Sequence, residues 1–355
     1  MQSQPTIYDT EVFVDHVKSA KVTRIEHKAD HEKANEATIV LTMDYAQNLS
    51  LPNVADTPSG WYFLSLVSVS MFGVFCANDK LHYNFLYSER KGGKDANEVA
   101  SMLKYALELQ GVLEIDSVAE RSQDMSEDAA EKGNLPATKK LLYNCDGQNK
   151  NSYVLWFLLF LVDYGAVEEA TLKFFVKGHT KNPCDRSFGL VKNHVSKEDC
   201  WTVNKLIDCV SKAVKAINLE DEDAPFKDIC VFFTCMYKKL SGIRQYQIFR
   251  MTAEKKGFVE CKKGPSETAT WFDLRQSKAS PERKSAKELW ASITSVNDSP
   301  VNAEKLFDIR QKIPSRKLRV SSACAGNNKR ERDAMLMTKG KKESFKISFL
   351  ILGYF

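Results

Sequence analysis

Residues 141–190 read LLYNCDGQNKN (141–151), SYVLWFLLFLVDYGAVEEA (152–170) and TLKFFVKGHTKNPCDRSFGL (171–190), and the fold turns on them. Leu141 and Leu142 lead into a polar cluster containing Asn144, Asp146 and Gln148. Tyr153 to Val162 is then apolar at every position, the pattern of a helix buried on all sides. Leu172, Phe174 and Val176 follow, interleaved with Lys173, Phe175 and Lys177, before Gly178 opens a second polar cluster. That alternation reads as a strand. Strand, helix, strand and helix form a βαβ unit, and sheets of this kind hold ligands beyond the carboxyl ends of their strands. Both polar clusters fall there.

Upstream, period-two alternation from Thr38 puts Ile39, Leu41 and Met43 on one face and Val40, Thr42 and Asp44 on the other, which predicts a strand buried on both faces. A carboxylate at its end is costly unless it is paired or bound to metal; the plainer alternative is that Asp44 caps the turn before Leu49. Trp61 to Cys76 and Leu81 to Ser88 read as an antiparallel pair split at Ala77 to Lys80. Asp95 and Glu98 form a capping box ahead of Val99, Met102, Leu103, Ala106 and Leu107, with Gly111 as the stop. Asp116 to Lys140 reads as loop. Residues 1–36 read as a helical lead-in lying on the surface, with His27 and His31 on a solvated face.

Downstream, Val203, Leu206, Ile207, Val210 and Val214 mark an amphipathic helix. The acidic run Glu220 to Asp223 with Pro225 suggests a boundary, so that truncation there should leave the core intact. Phe226 to Leu240 fits helix or strand, Tyr246 to Phe249 and Phe258 to Cys261 fit a hairpin, and Ala303 to Lys312 fits a helix. The division expected is thus 1–36, a core at 37–219, a small α+β extension at 220–314 and a basic, disordered tail at 315–355.

The net charge is +5 and 43% of residues are hydrophobic, enough for a substantial core and against wholesale disorder. Arg310, Lys312, Arg316, Lys317, Arg319, Lys329, Arg330 and Arg332 concentrate near the end and permit contact with nucleic acid or anionic lipid. Nine cysteines without a CxxC pair, and an N-terminus without a signal-peptide pattern, point to reduced thiols inside a cell. Tyr153 to Val162 would span about 15 Å as a helix, against about 30 Å for a bilayer core. No membrane span is expected.

Three antiparallel strands followed by βα units describe a ribonuclease H-like mixed sheet flanked by helices. In that fold, acids near the ends of the first and fourth strands and on the final helix converge, and Asp44, Asp146 and Asp185 stand at those places.

LTMDYAQNLSLP (41–52), YNCDGQNKN (143–151) and VKGHTKNPCDRSFGLVK (176–192), taken together, resemble a family of transposon-derived proteins of oomycetes and other eukaryotes. That family carries DYSQN, DNCSGQNKN and GHTKN-x-x-DR-x-F blocks in this order; AEKLFDIRQKIP (303–314) extends the likeness. The resemblance implies a DDE-type transposase or integrase domain cutting or joining DNA, and hence a nuclear protein. In it Mg²⁺ or Mn²⁺ is held by Asp44, Asp146 and Asp185, and Lys150, His179, Lys181 and Arg186 lie near the substrate. Two ions about 4 Å apart suit this chemistry, which needs carboxylates from separate elements.

One departure stands out: the family has an acid immediately before Asn-Cys, where this chain has Tyr143. A phenol is neutral near pH 7 and a poor magnesium ligand, so the site either uses Asp146 through a shifted loop or lacks its second acid. Each candidate also has a structural alternative. Asp185 fits a helix N-cap before Arg186 to Val195, Gln148, Asn149 and Asn151 fit caps of the apolar helix, His179 fits a loop hydrogen bond, and the lysines fit a solvated surface. Cys184, Cys200 and Cys209, with His179 and His194, read as ordinary thiols and histidines rather than a zinc site. Two functions remain: a DDE-type nuclease or strand-transfer domain, impaired at Tyr143, and a non-enzymatic remnant that binds nucleic acid or protein.

Overall fold

The computed structural model of the protein describes residues 7–113, 139–144, 150–276, 286–300 and 302–312. Among the described residues ten strands form one mixed sheet: β1 (Thr38–Tyr45), β2 (Leu49–Leu51), β3 (Val67–Cys76), β4 (His82–Ser88), β5 (Lys139–Asn144), β6 (Glu169–Phe174), β7 (Ala216–Asn218), β8 (Ile248–Thr252), β9 (Phe258–Lys262) and β10 (Thr270–Asp273). Their spatial order is β10-β9-β8-β6-β5-β1-β3-β4-β7, with β2 added alongside β3. β1 lies at the centre, parallel to β5 and antiparallel to β3, where Asp44 pairs with Gly73. β5 and β6 are parallel.

Helices cover both faces. They are α1 (Ile7–Glu32), α2 (Ala96–Leu109), α3 (Ser152–Asp163), α4 (Pro183–Val195), α5 (Val203–Ala213), α6 (Ile229–Thr234), α7 (Ala286–Ser292) and α8 (Ala303–Lys312). On one face Ile39, Leu41 and Met43 meet α2, α3, α6 and Trp290 of α7 in the main core. α3 is apolar all round because it is enclosed all round: Trp156 and Phe160 are each 1% exposed. Asn151 starts it, its side chain accepting from Tyr153 N at 2.9 Å and Val154 N at 3.1 Å, as the capping reading required. On the opposite face Val69, Met71 and Leu86 pack against Val191 of α4 and Leu206 and Val210 of α5.

Several expectations change. Only Val67–Cys76 of the 61–76 stretch is strand; Ser59–Phe63 is a 3-10 turn after Pro58, with Trp61 buried against Val54 and Trp201. α1 is no surface lead-in, for Ala20, Thr23 and Asp30 are buried. The boundary at 220 separates no cores: β8 pairs with β6, and Phe226, Phe233 and Tyr237 share a cluster with α3. A cut there would strip neighbours from β6 and α3, because an acidic run marks an exposed turn, not necessarily a domain edge. The 258–261 hairpin partner does pair with β8, whereas β10 and α7 had no clear signal in the sequence. The basic tail and most of Asp116 to Lys140 lie outside the described residues, although Lys139 and Lys140 already belong to β5.

Candidate functional site

β1, β5 and β6 run parallel and side by side, so their carboxyl ends, at Tyr45, Asn144 and Phe174, open on one edge of the sheet. Asp44 sits there, half-buried. Its Oδ1 accepts from Tyr45 N at 2.8 Å, and its Oδ2 accepts from Asn182 Nδ2 at 3.0 Å.

Asn182 is the N-cap of α4. Its Oδ1 accepts from Cys184 N at 2.7 Å, and its backbone N–H donates to Asp185 Oδ2 at 2.8 Å, closing a capping box with Pro183 in the first turn. These bonds satisfy orphan donors at the helix start. Asp185 is therefore the third helical residue and not the N-cap expected as its alternative; it is exposed. One asparagine thus joins the two carboxylates.

The close approach of α4 has a local cause. Gly73, opposite Asp44, has no side chain; a Cβ there would stand 2.8 Å from Phe188 Cε1 and 2.9 Å from Cζ. Phe188 fills that space, and Cys184 Sγ lies 3.3 Å from Thr42 O and 3.5 Å from Gly73 O. The buried thiol is thus a packing and hydrogen-bonding group at the helix–sheet contact.

The remaining candidates lie around this edge to differing degrees. Lys150 Nζ stands 5.1 Å from the centroid of the Phe174 ring at the end of β6, and Lys181 and Arg186 are exposed on either side of the α4 cap. The His179 ring lies 5.3 Å from that of His16 in α1. Arg24 donates to the carbonyls of His179 (3.3 Å) and Lys181 (3.4 Å), tying α1 to the loop that leads into Asn182. Asp146, Gln148 and Asn149 lie outside the described residues, while Tyr143 pairs in register with Thr42, two positions before Asp44. Among the described residues no group of three or more His, Cys, Asp or Glu gathers as a metal site. Of the three acids named from the sequence, Asp44 and Asp185 are the two among the described residues, and their carboxylates are oxygen donors of the hard type that Mg²⁺ and Mn²⁺ prefer.

His27 and His31 were expected on a solvated face, and the structure corrects this. Their rings are 4.1 Å apart and both approach Thr42 Oγ1, at 3.1 and 3.3 Å. Burial first, and then the neighbouring His31, pushes His27 down to about 3; burial also lowers His31. Beside them Lys173 donates to Glu26 at 2.6 Å and Asp30 at 2.5 Å. A buried lysine on β6 had to be paired, and α1 supplies both acids. A groove of about 480 Å³ runs past this cluster towards Arg250 and Glu260, but its principal charges pair with one another.

Sequence reasoning missed Asn182, Gly73 and Lys94. Asn182-Pro183 is a legible helix-start signal, but its bond to Asp44 depends on the chain returning to β1. Lys94 follows the Gly92-Gly93 turn; its Nζ donates to Ala46 O at 2.8 Å and stands 4.8 Å from the centroid of Tyr45. Burial lowers its pKa, with Asp44 opposing that shift.

No curated protein matches the chain. Residues 122–267 are similar to the family described as Domain of unknown function (DUF7869), a span that holds Asp146, Asn182 and Asp185 and leaves Asp44 outside it.

Proposed function

We propose that this protein is a ribonuclease H-like, DDE-type domain of transposon origin that acts on DNA phosphodiesters with Mg²⁺ or Mn²⁺, and that Tyr143 leaves its cleavage impaired. The observation that carries this reading is the bridge from Asp44 through Asn182 to Asp185, which draws acids from two distant elements to the carboxyl edge of a parallel sheet. The order β6-β5-β1-β3-β4 also supports it, with β1 set between parallel β5 and antiparallel β3.

Asp44 and Asp185 would hold the metal, with Asp146 as the remaining carboxylate of the segment after β5. When bound, such ions activate water or a 3′-hydroxyl and stabilise the leaving oxygen. Asn182 fixes the Asp44 carboxylate, and Lys150, His179, Lys181 and Arg186 are the groups that would meet phosphate. A DNA partner and nuclear residence belong to the same reading. Incubation of plasmid or oligonucleotide DNA with Mn²⁺ tests it: slow cleavage by the wild type, lost in Asp44→Asn, is expected, and cleavage unchanged in that variant would overturn it.

A second reading has an observation of its own. Both Asp44 oxygens accept protein hydrogen bonds, as befits a carboxylate retained for structure. A non-catalytic nucleic-acid-binding remnant would bind DNA with the same affinity in wild type and Asp44→Asn, with no metal dependence.

A further inference from the structure

We propose that Lys94 is a phosphate-binding residue at this edge, contacting the backbone of a bound DNA strand beside Asp44; this rests on the DNA-directed reading above.

Lys94 is a half-buried cation whose contacts among the described residues are neutral: the Ala46 carbonyl and the face of the Tyr45 ring. The buried lysines Lys173 and Lys91 meet carboxylates directly, Lys173 at Glu26 and Asp30 and Lys91 at Asp298, whereas half-buried Lys227 donates to the Ile293 carbonyl. Among the described residues Lys94 forms no such pair. An ammonium has three donors, and one is used. A cation partly withdrawn from water is costly; Asp44 acts on Lys94 but forms no ion pair with it, which leaves the ammonium suited to an anion that arrives from outside.

The turn that carries Lys94 is fixed. Tyr87 donates to Gly93 O at 2.7 Å, so the 2.9 Å contact between the Tyr45 and Tyr87 hydroxyls has Tyr45 as the donor. Glu98 accepts from the backbone of Gly93 and Asp95. At Gly92 a Cβ would meet Glu98 Oε1 at 2.6 Å and Phe226 Cε2 at 2.9 Å, so only glycine lets the chain pass this close. β1 and β4 therefore grip the Lys94 turn through two tyrosines, and its ammonium is held over the end of β1 before any ligand arrives. A preorganised charge of this kind loses little side-chain freedom when phosphate binds.

The test uses the full-length chain and a fluorescent single-stranded DNA oligonucleotide. Anisotropy titrations from low to moderate salt should give an affinity for Lys94→Ala several-fold below wild type, and a log–log salt slope shallower by about one. Lys94→Arg should retain most of the affinity. Thermal melting of both variants shows whether they fold, and a second measurement needs no variant: acylation of Lys94 by an amine-reactive reagent, read by mass spectrometry, should be suppressed by the oligonucleotide. If wild type binds DNA while Lys94→Ala binds equally well with an unchanged slope, or if Lys94 is not protected, Lys94 is not a phosphate ligand and the DNA-directed reading survives. If wild type binds no DNA, both fail.

Discussion

Asn182 donates through Nδ2 to Asp44 Oδ2 at 3.0 Å, linking the start of α4 to the end of the central strand. The same side chain caps α4 through its oxygen. Replacing Asn182 by Ala should cost about 1 kcal/mol from the lost cap. Asn182→Asp keeps the cap acceptor yet sets a second carboxylate against Asp44, so near pH 7 it should be less stable than wild type and recover as acid protonates the pair. Urea denaturation at pH 7 and pH 4.5 checks this. Asn182→Asp matching wild type at pH 7 would mean that the bond to Asp44 carries no weight.

Gly73 should tolerate no side chain without movement of α4. Gly73→Ala forces Phe188 aside and should destabilise by about 1–3 kcal/mol, as overpacking does. Combining it with Phe188→Leu should recover part of that loss, since residues in contact are not additive. Equal additive losses in denaturant titrations of the single and double variants would rule the contact out.

Lys173 and Asp30, with side chains 9% and 2% exposed, form an ion pair that joins α1 to β6. Removing one partner, as in Lys173→Met, leaves the buried Asp30 carboxylate to Lys33, 3.0 Å away, and should cost up to about 3–5 kcal/mol, the loss for a buried charge stripped of its partner. Lys173→Met with Asp30→Leu should cost less than either single change. Hydrogen exchange of α1 amides provides the local readout: faster exchange in the single variants is expected, and unchanged exchange would count against α1 being fastened here.

The imidazole of His27 gives a pH dependence of defined sign. Its folded pKa of about 3 lies below the 6.5 usual for a histidine, so the unfolded chain binds the proton more readily. Its contribution is complete above about pH 6.5 and is lost as pH falls towards 3. The groups around it are His31, Asp30, Arg24 and Lys173, with Thr42 and Phe175 in contact. His27→Gln should be less stable than wild type at pH 7.5, and the gap should narrow at pH 4.5. A gap that stays constant or widens in acid contradicts the burial of a neutral imidazole.

Much of the sheet was legible because it is written in local periodicity. The alternation at Thr38 to Tyr45 and the apolar run after Asn151 each have one physical solution, and Asp95 with Glu98 forms the capping box that their spacing announces. What failed had no local signature. His27 and His31 lie on a helix of mixed polarity, and only contact with Thr42 and Lys173, far along the chain, makes its inner face buried. The acidic run at 220 looked like an edge because it is polar, while β8, the strand that completes the core, begins well beyond it. At the candidate site the acids could be named individually, but the Asn182 bridge and Lys94 depend on Gly73 and Gly92, whose value is the space they leave.

The most direct measurement of the central claim, a divalent metal held at Asp44 and Asp185 and weakened by Tyr143, is calorimetric titration of Mn²⁺ into the wild type, Asp44→Asn, Asp146→Asn and Tyr143→Asp. Weak binding of one ion by wild type is expected, abolished in Asp44→Asn, reduced in Asp146→Asn and tightened severalfold or raised to two ions in Tyr143→Asp. Identical titrations in all four proteins would show that this edge of the sheet is no metal site, and the enzymatic reading would fall with it.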